Sequence, residues 1–338
     1  MTIRRGAGIA ALVLGGLLTV AISATIGWRP FIGPRVRPLT DRRFEPSARR
    51  LERGRYLATS GGVGCMGCHS ALRATNGRVE VVAAFVGRTW VPDEVPFLSA
   101  PNLTPDPETG IGSWSDDALA RAIREGIGHD GRTLFPIMPY QRMRALTDED
   151  LASIVVYLRS LAPIRNPLPP SAVPFPLNRL VNGLPEPIHG PVSADLSTPE
   201  KRGAYLVTIA ACGDCHSPID DRGAAIPGMD FAGGFTLKFQ GLSAAAANIT
   251  PSVNGIPYYD PDLFVEVMRT GRIKARELSD LMPTHFYREM TDEDLRAIFA
   301  YLKTLAPVEH YVDNALPPTA CARCGLMHGG GTRNKKAG

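Results

Sequence analysis

The sequence predicts a mainly α-helical protein of two tandem domains, joined by a proline-rich linker and preceded by a hydrophobic helix. Three observations carry that prediction. A series of short motifs occurs twice in the same order, apolar residues recur at helical spacing within each copy, and prolines crowd the stretch between the copies. The boundaries follow as residues 1–30 for the amino-terminal segment, 44–163 and 198–308 for the domains, 164–197 for the linker and 309–338 for a tail. A length of 338 residues suits more than one domain, and a 44% hydrophobic share excludes wholesale disorder. A formal charge of +4 is too weak and dispersed to point to nucleic acid.

Gly6 to Trp28 is an uncharged run of 23 residues behind Arg4 and Arg5. As a helix it is long enough to cross a bilayer. It reads as a cleaved secretory signal, with Ala21-Ile22-Ser23 as a small-x-small cleavage site, or as an uncleaved signal anchor. No cysteine follows it, which argues against a lipoprotein anchor. Its length favours the anchor; Arg29, Arg35, Arg37, Arg42 and Arg43 beyond it run against the positive-inside rule. Both readings export the body of the chain to the periplasm.

The duplication is explicit. Gly54-Arg55-Tyr56-Leu57 precedes Cys65-Met66-Gly67-Cys68-His69, as Gly203-Ala204-Tyr205-Leu206 precedes Cys212-Gly213-Asp214-Cys215-His216. Asn102-Leu103-Thr104-Pro105 returns as Asn248-Ile249-Thr250-Pro251, and Asp117–Arg124 with Gly126 as Asp262–Arg269 with Gly271. Leu146-Thr147-Asp148-Glu149-Asp150-Leu151 returns as Met290-Thr291-Asp292-Glu293-Asp294-Leu295. Thr147 and Thr291 read as helix N-caps, each with Asp three residues on in the manner of a capping box. The helices they start carry apolar faces of Leu151, Ile154, Val155 and Leu158, then Leu295, Ile298, Phe299 and Leu302, and stop before Pro163 and Pro307. Ser113 or Ser115 opens a helix through Arg124, and Thr198 with Pro199 opens another. No convincing alternating strand is visible. Ten prolines over 163–199 predict a stiff, plain connector, and the Gly329-Gly330-Gly331 and Lys335-Lys336 tail a frayed end.

Cys-x-x-Cys-His is the attachment signature of c-type haem: two thiols add to the vinyl groups and the adjacent imidazole ligates iron. A redox dithiol or half of a zinc site would use the same cysteines. The histidine at the equivalent point of both copies, behind an export signal, favours two covalent haems on Cys65, Cys68, Cys212 and Cys215, with His69 and His216 as proximal ligands. The repeat also selects the distal ligands. Met138-Pro139 and Met282-Pro283 stand eight residues before Leu146 and Met290. Met143 aligns with Tyr287 and Met290 with Leu146, while Met66, Met229, Met268 and Met327 have no counterpart. His129 and His285 are likewise unmatched. A thioether is a soft ligand that raises the reduction potential, and six-coordinate iron leaves little room for oxygen chemistry.

Both halves look like class I cytochrome c domains. The stretch Asn102–Asp106, Gly110–Trp114, Met138-Pro139-Tyr140 and Leu146–Leu151 resembles the multihaem cytochrome c subunits of membrane-bound bacterial dehydrogenases. The resemblance covers about residues 48–308 and implies electrons passing from a periplasmic dehydrogenase toward quinone, a soluble cytochrome or an oxidase. It also implies that first and last helices cross at a glycine beside an aromatic ring, with Gly54, Tyr56 and Tyr157, and Gly203, Tyr205 and Tyr301, in that role. Trp114 and its counterpart Tyr259 become candidates for haem-propionate contact or plain packing, and Arg124 and Arg269 for propionate pairing or, more commonly for helix arginines, plain solvation.

One motif departs from that pattern. Cys321-Ala322-Arg323-Cys324 is followed by Gly325, with the nearest histidine at His328, so a third haem domain is not expected. The pair reads as a disulfide, as a zinc site with His328 and His310, or as a vestige. The function expected is a membrane-tethered dihaem electron carrier with no catalytic activity of its own. A dihaem peroxidase-like enzyme with one displaceable ligand, and a sensor or scaffold with structural haem, are the alternatives. Two haems, each with two propionates against an iron–porphyrin core of zero or +1, would bring the assembled charge close to neutral.

Overall fold

In each copy a first helix and a last helix meet at a glycine that admits no side chain. The computed structural model describes residues 2–75, 78–89, 97–221, 223–239 and 241–335, and the side chains of 2–11, 74, 75, 78, 79 and 239 lie outside that description. The Ala48–Thr59 helix crosses the Asp148–Ser160 helix where a Cβ on Gly54 would lie 1.9 Å from the Ser153 carbonyl oxygen and 2.7 Å from the Tyr157 Cβ. The Pro199–Ile209 and Asp292–Thr304 helices repeat this at Gly203, against Ala297 and Tyr301. Tyr157 and Tyr301 then meet Phe85 and Phe231 edge-on, with ring centroids 5.8 and 6.4 Å apart.

The caps explain where these helices begin. Ser47 and Thr198 accept from the backbone N–H of Arg50 and Lys201, and Thr147 and Thr291 from that of Asp150 and Asp294. The expected capping boxes are built differently. Asp150 does not turn back on its own helix start; it takes both arms of the Arg53 fork at 2.8 Å and the Tyr205 hydroxyl at 2.6 Å. The Tyr205 oxygen in turn accepts the Thr147 N–H at 3.3 Å. Asp294 takes one arm of Arg202, the other going to Glu293, and the hydroxyl of Tyr56, whose oxygen accepts the Thr291 N–H. Tyr56 and Tyr205 therefore leave the helix crossing to Gly54, Tyr157, Gly203 and Tyr301, and complete a cap on the other copy.

The chain packs as two compact units, one of residues 1–43, 114–144 and 171–190, the other of residues 44–113, 145–170 and 191–338. Both Cys-x-x-Cys-His motifs lie in the second. Within that unit Tyr56 and Tyr205 tie the copies to one another, while residues 171–190 of the proline-rich segment pack with the first unit.

In the first unit, Ser115 caps the Asp116–Glu125 helix, which ends at Gly126 in a left-handed conformation (φ 70°) under the Tyr140 ring. Arg37 reaches this helix with a fork on Asp117 at 2.7 and 2.8 Å and a third bond to Glu125 at 2.7 Å. Asp117 and Glu125 are only 1% and 3% exposed, so Arg37 neutralises buried charge. The segment read as a plain linker also takes part: Thr133 donates to Asn182 at 2.8 Å, and Val181 and Asn182 are buried. The Thr2–Ala24 helix covers most of the apolar run. Among the described residues no helix is long and apolar enough to cross a membrane.

In the second unit, Asp260 caps the Pro261–Thr270 helix, which ends at left-handed Gly271. Here the strand-free expectation is corrected. Five two-stranded antiparallel hairpins occur among the described residues, including Ala71–Thr75 with Arg78–Ala83, Thr236–Phe239 with Leu242–Ala245, and Pro318–Ala320 with Met327–Gly329. They are short ladders beside loops. Val81 and Val82, neighbours on opposite faces of one strand, are both exposed, so little hydrophobic alternation marks it. The tail is not frayed through Lys335, since Gly329, Gly330 and Gly331 are buried and Asn334 bonds back to Tyr311.

Candidate haem attachment sites

Each Cys-x-x-Cys-His motif is one short helix, Cys65–His69 and Cys212–His216, entered from a left-handed residue. That residue is Gly64 (φ 71°) in the first copy and Ala211 (φ 55°) in the second, where a Cβ makes the turn costlier. A single helical turn places both thiols on one side and the histidine directly after them. The His69 and His216 rings are oriented identically. Their Nδ1 atoms lie 2.8 Å from the carbonyl oxygens of Pro101 and Ala247. A carbonyl only accepts, so Nδ1 carries the proton and the Nε2 lone pair is left to bind a metal. Burial pushes both imidazoles below their ordinary pKa, which favours the neutral, ligating form.

The loops that hold these rings are also duplicated. Gly87 and Gly233 donate to the carbonyls of His69 and His216 at 2.8 and 2.7 Å, and Ser70 and Ser217 accept from Phe85 and Phe231. The repeated Asn-x-Thr-Pro motif gains its reason. The Asn102 and Asn248 side chains accept from Thr104 and Thr250 and donate to the carbonyls of Ile164 and Val308, fixing the turn directly after the Pro101 and Ala247 acceptors.

The thiols suit attachment to haem. Burial, reinforced by the partner cysteine, pushes Cys65 and Cys212 up to about 12, so neither is a ready thiolate, and no disulfide is present among the described residues. Two neutral thiols one turn apart, with an imidazole already aimed by its Nδ1 bond, match the donor set of haem c.

Met138 and Met282 sit in matching turns. Their carbonyls accept from the N–H of Tyr140 and Thr284, both at 2.7 Å, and Pro139 and Pro283 share one backbone conformation (φ −79°, ψ 46° and φ −78°, ψ 56°). Both methionines are half-buried. Trp114 lies against the His129 ring at 4.3 Å and Tyr259 against Tyr258 at 5.1 Å. Arg269 is engaged by the Arg288 carbonyl and by Asp292 at 2.5 Å.

Two residues that sequence reasoning passed over join the motifs. A Cβ on Gly67, between Cys65 and Cys68, would lie 2.9 Å from the Phe286 ring. Gly61 is pressed against the Tyr287 ring, and its N–H donates to the Phe286 carbonyl at 3.1 Å. The Tyr287 hydroxyl donates to Ala210, just before the second motif, and the Cys212 thiol adds to the burial that raises its pKa well above normal. Tyr287 thus touches the approach to both motifs. The available signal was a departure from the repeat, with Phe286 and Tyr287 standing where the first copy has Arg142 and Met143.

Twin haem-type motifs on duplicated helical frames define an electron-carrier class of protein, and comparison with known proteins agrees. The family described as Cytochrome c matches residues 51–162. The chain is 33% identical over 316 residues to a nicotinate dehydrogenase component of Pseudomonas putida, covering 88% of this chain and 24% of that protein. It is 31% identical over 281 residues to the cytochrome c subunit of a quinone alcohol dehydrogenase from Gluconacetobacter polyoxogenes, covering 76% and 56%. A diheme cytochrome c-type protein of Cereibacter sphaeroides is 30% identical over 268 residues, covering 76% and 86%. The chain belongs to the cytochrome c family. It spans about a quarter to just over half of the length of the first two of these relatives.

Proposed function

We propose that this chain carries two haems c and relays single electrons from a dehydrogenase toward quinone, a soluble cytochrome or an oxidase. The observation that carries the reading is the identical aim of His69 and His216, each with Nδ1 on a carbonyl and Nε2 free for iron. Bound haem would supply a one-electron ferric–ferrous couple at each motif. Cys65 with Cys68, and Cys212 with Cys215, would hold it covalently. Met138 and Met282, equivalent in the repeat and in their turns, are assigned as distal ligands, which favours the ferrous state and a raised potential. Phe286 and Tyr287 keep the first attachment loop against the segment that follows Met282.

The dehydrogenase donor is supported by the names of the relatives, several of which are cytochrome subunits of dehydrogenases for alcohols, gluconate or fructose. Export to the periplasmic side of the membrane, with the apolar amino-terminal segment as tether, is supported by the Gly6–Trp28 run and by the haem attachment motifs behind it. Difference spectra of membranes after addition of candidate dehydrogenase substrates test the reading. Reduction of both haems by at least one substrate is expected. A high-spin haem with peroxide turnover in the purified protein would overturn it in favour of an enzyme.

A further inference from the structure

The cysteine pair at the carboxyl end does not stand alone. Its Sγ atoms converge with two imidazoles on one point, the ligand atoms of His310, Cys321, Cys324 and His328 all lying within 4.8 Å of one another. His310 Nε2 is 3.4 Å from Cys321 Sγ, His328 Nε2 is 3.5 Å from Cys324 Sγ, and the two Nε2 atoms are 3.2 Å apart. Tetrahedral zinc with ordinary Zn–S and Zn–N bonds sets nitrogen–sulfur edges of about 3.5 Å and nitrogen–nitrogen edges of about 3.3 Å. The three distances match the edges of that tetrahedron. The four residues are 0%, 3%, 6% and 1% exposed in chain order. We propose that His310, Cys321, Cys324 and His328 form a closed structural zinc site, separate from both haem motifs.

The local fold serves the site. Cys321 and Cys324 occupy the turn of the Pro318–Ala320 and Met327–Gly329 hairpin, and His328 lies on its second strand. Gly325, left-handed at φ 76°, turns the chain, and the Cys324 N–H points at Cys321 Sγ at 3.5 Å, which would stabilise a thiolate. The His310 Nδ1 donates to the Ala232 carbonyl at 2.9 Å and the His328 Nδ1 to the Gly329 carbonyl at 3.2 Å, leaving both Nε2 atoms facing the sulfurs. Gly234 provides the room, since a Cβ there would lie 2.6 Å from the His310 ring and 3.3 Å from His328. Met229, Ala232, Val308, Ile226 and Leu326 close an apolar shell around the cysteines. Binding would displace two thiol protons, and two thiolates would cancel the charge of Zn²⁺, so the buried site is neutral when filled.

The first copy shows what the site replaced. There Asn166 occupies the place of His310, and its side-chain amide donates to Val86 as His310 Nδ1 donates to Ala232. The histidine keeps that hydrogen bond and adds a second nitrogen pointing the other way. The zinc would clip the tail to the loop that orients His216. Gly233 donates to the His216 carbonyl, and Asn248 donates to the carbonyls of both Val308 and His310.

The test uses the full chain isolated with its haems, exchanged into EDTA-containing buffer, and measured for zinc and iron together with its intact mass. One zinc per chain is expected beside the haem iron. His310→Asn, which restores the side chain of the first copy, should lose the zinc while keeping helix content and the haem spectrum. Cys321→Ser with Cys324→Ser should lose it as well. The proposal fails if the wild-type chain holds no zinc after incubation with zinc chloride, or if its mass and alkylation under non-reducing conditions show a Cys321–Cys324 disulfide. Zinc content unchanged in His310→Asn, or a further iron in place of zinc, would overturn it equally.

Discussion

The Tyr56 hydroxyl donates to Asp294 at 2.5 Å, and its counterpart in the second copy, Tyr205, donates to Asp150 at 2.6 Å. Each phenol also accepts the backbone N–H of the threonine that caps the helix carrying that aspartate. In an ordinary capping box the third residue of the helix accepts that N–H. Here a tyrosine from the other copy takes its place, and the aspartate is freed for an arginine.

Removing either hydroxyl should therefore destabilise both copies together. Tyr205→Phe and Tyr56→Phe should each cost about 1.5–3 kcal/mol, the range for a hydrogen bond to a charged group. Denaturant unfolding measures the loss. A single cooperative transition shifted in both variants is expected, whereas loss of structure confined to one copy would contradict the reciprocal arrangement.

The two glycine crossings make a sharper steric prediction. Gly54→Ala and Gly203→Ala put a methyl 1.9 Å from a helix carbonyl and should cost about 2–4 kcal/mol or prevent folding. Gly64→Ala is the comparison. Nothing lies within 4 Å of it, and Ala211 already fills the equivalent left-handed position, so a loss of only about 1–2 kcal/mol is expected. Thermal unfolding of the three variants ranks them.

Met138→Ala and Met282→Ala should each convert one haem from low spin to high spin and lower its potential, while the other haem keeps both of its ligands and stays low spin. Absorption spectra and a redox titration resolve the two. An unaltered low-spin spectrum would remove that methionine from the ligand set.

Arg37 predicts a pH response. Burial acts to raise the Asp117 carboxyl, but the Arg37 fork and Thr40 outweigh it and hold the group below its ordinary 3.8. A depressed folded pKa contributes stability that is complete above 3.8 and disappears as pH falls through the folded value. Unfolding free energy should decline below about pH 4 more steeply in the wild type than in Asp117→Asn, as measured by denaturant titrations run from neutral to strongly acidic pH.

Local signals were legible in the sequence because local physics sets them. The threonine caps and the adjacency of cysteine to histidine each act within one or two turns of chain. What escaped depends on distant segments. Asp150 looks like the acid of a capping box until Tyr205, 55 residues away, supplies the better partner. His310 is already a zinc candidate in the sequence, but only folding shows that its ring meets Cys321, Cys324 and His328 at one point. The hairpins escaped because strands of two to six residues are too short to carry a clear period.

The contact of Gly67 with Phe286 has a consequence for how the two attachment motifs respond to one another. Phe286 lies four residues beyond Met282, on the short Thr284–Tyr287 helix whose first N–H is bonded to the Met282 carbonyl. That helix is hydrogen-bonded at one end to the Met282 turn, and its Phe286 ring leans on the loop bearing Cys65 and Cys68. With Met282 as the proposed ligand of the second site, its displacement should reach the loop bearing Cys65 and Cys68 within a single helical turn. The two proposed haem sites would then be coupled through this helix, and a change of ligation at the second should register as a small shift in the absorption bands of the first.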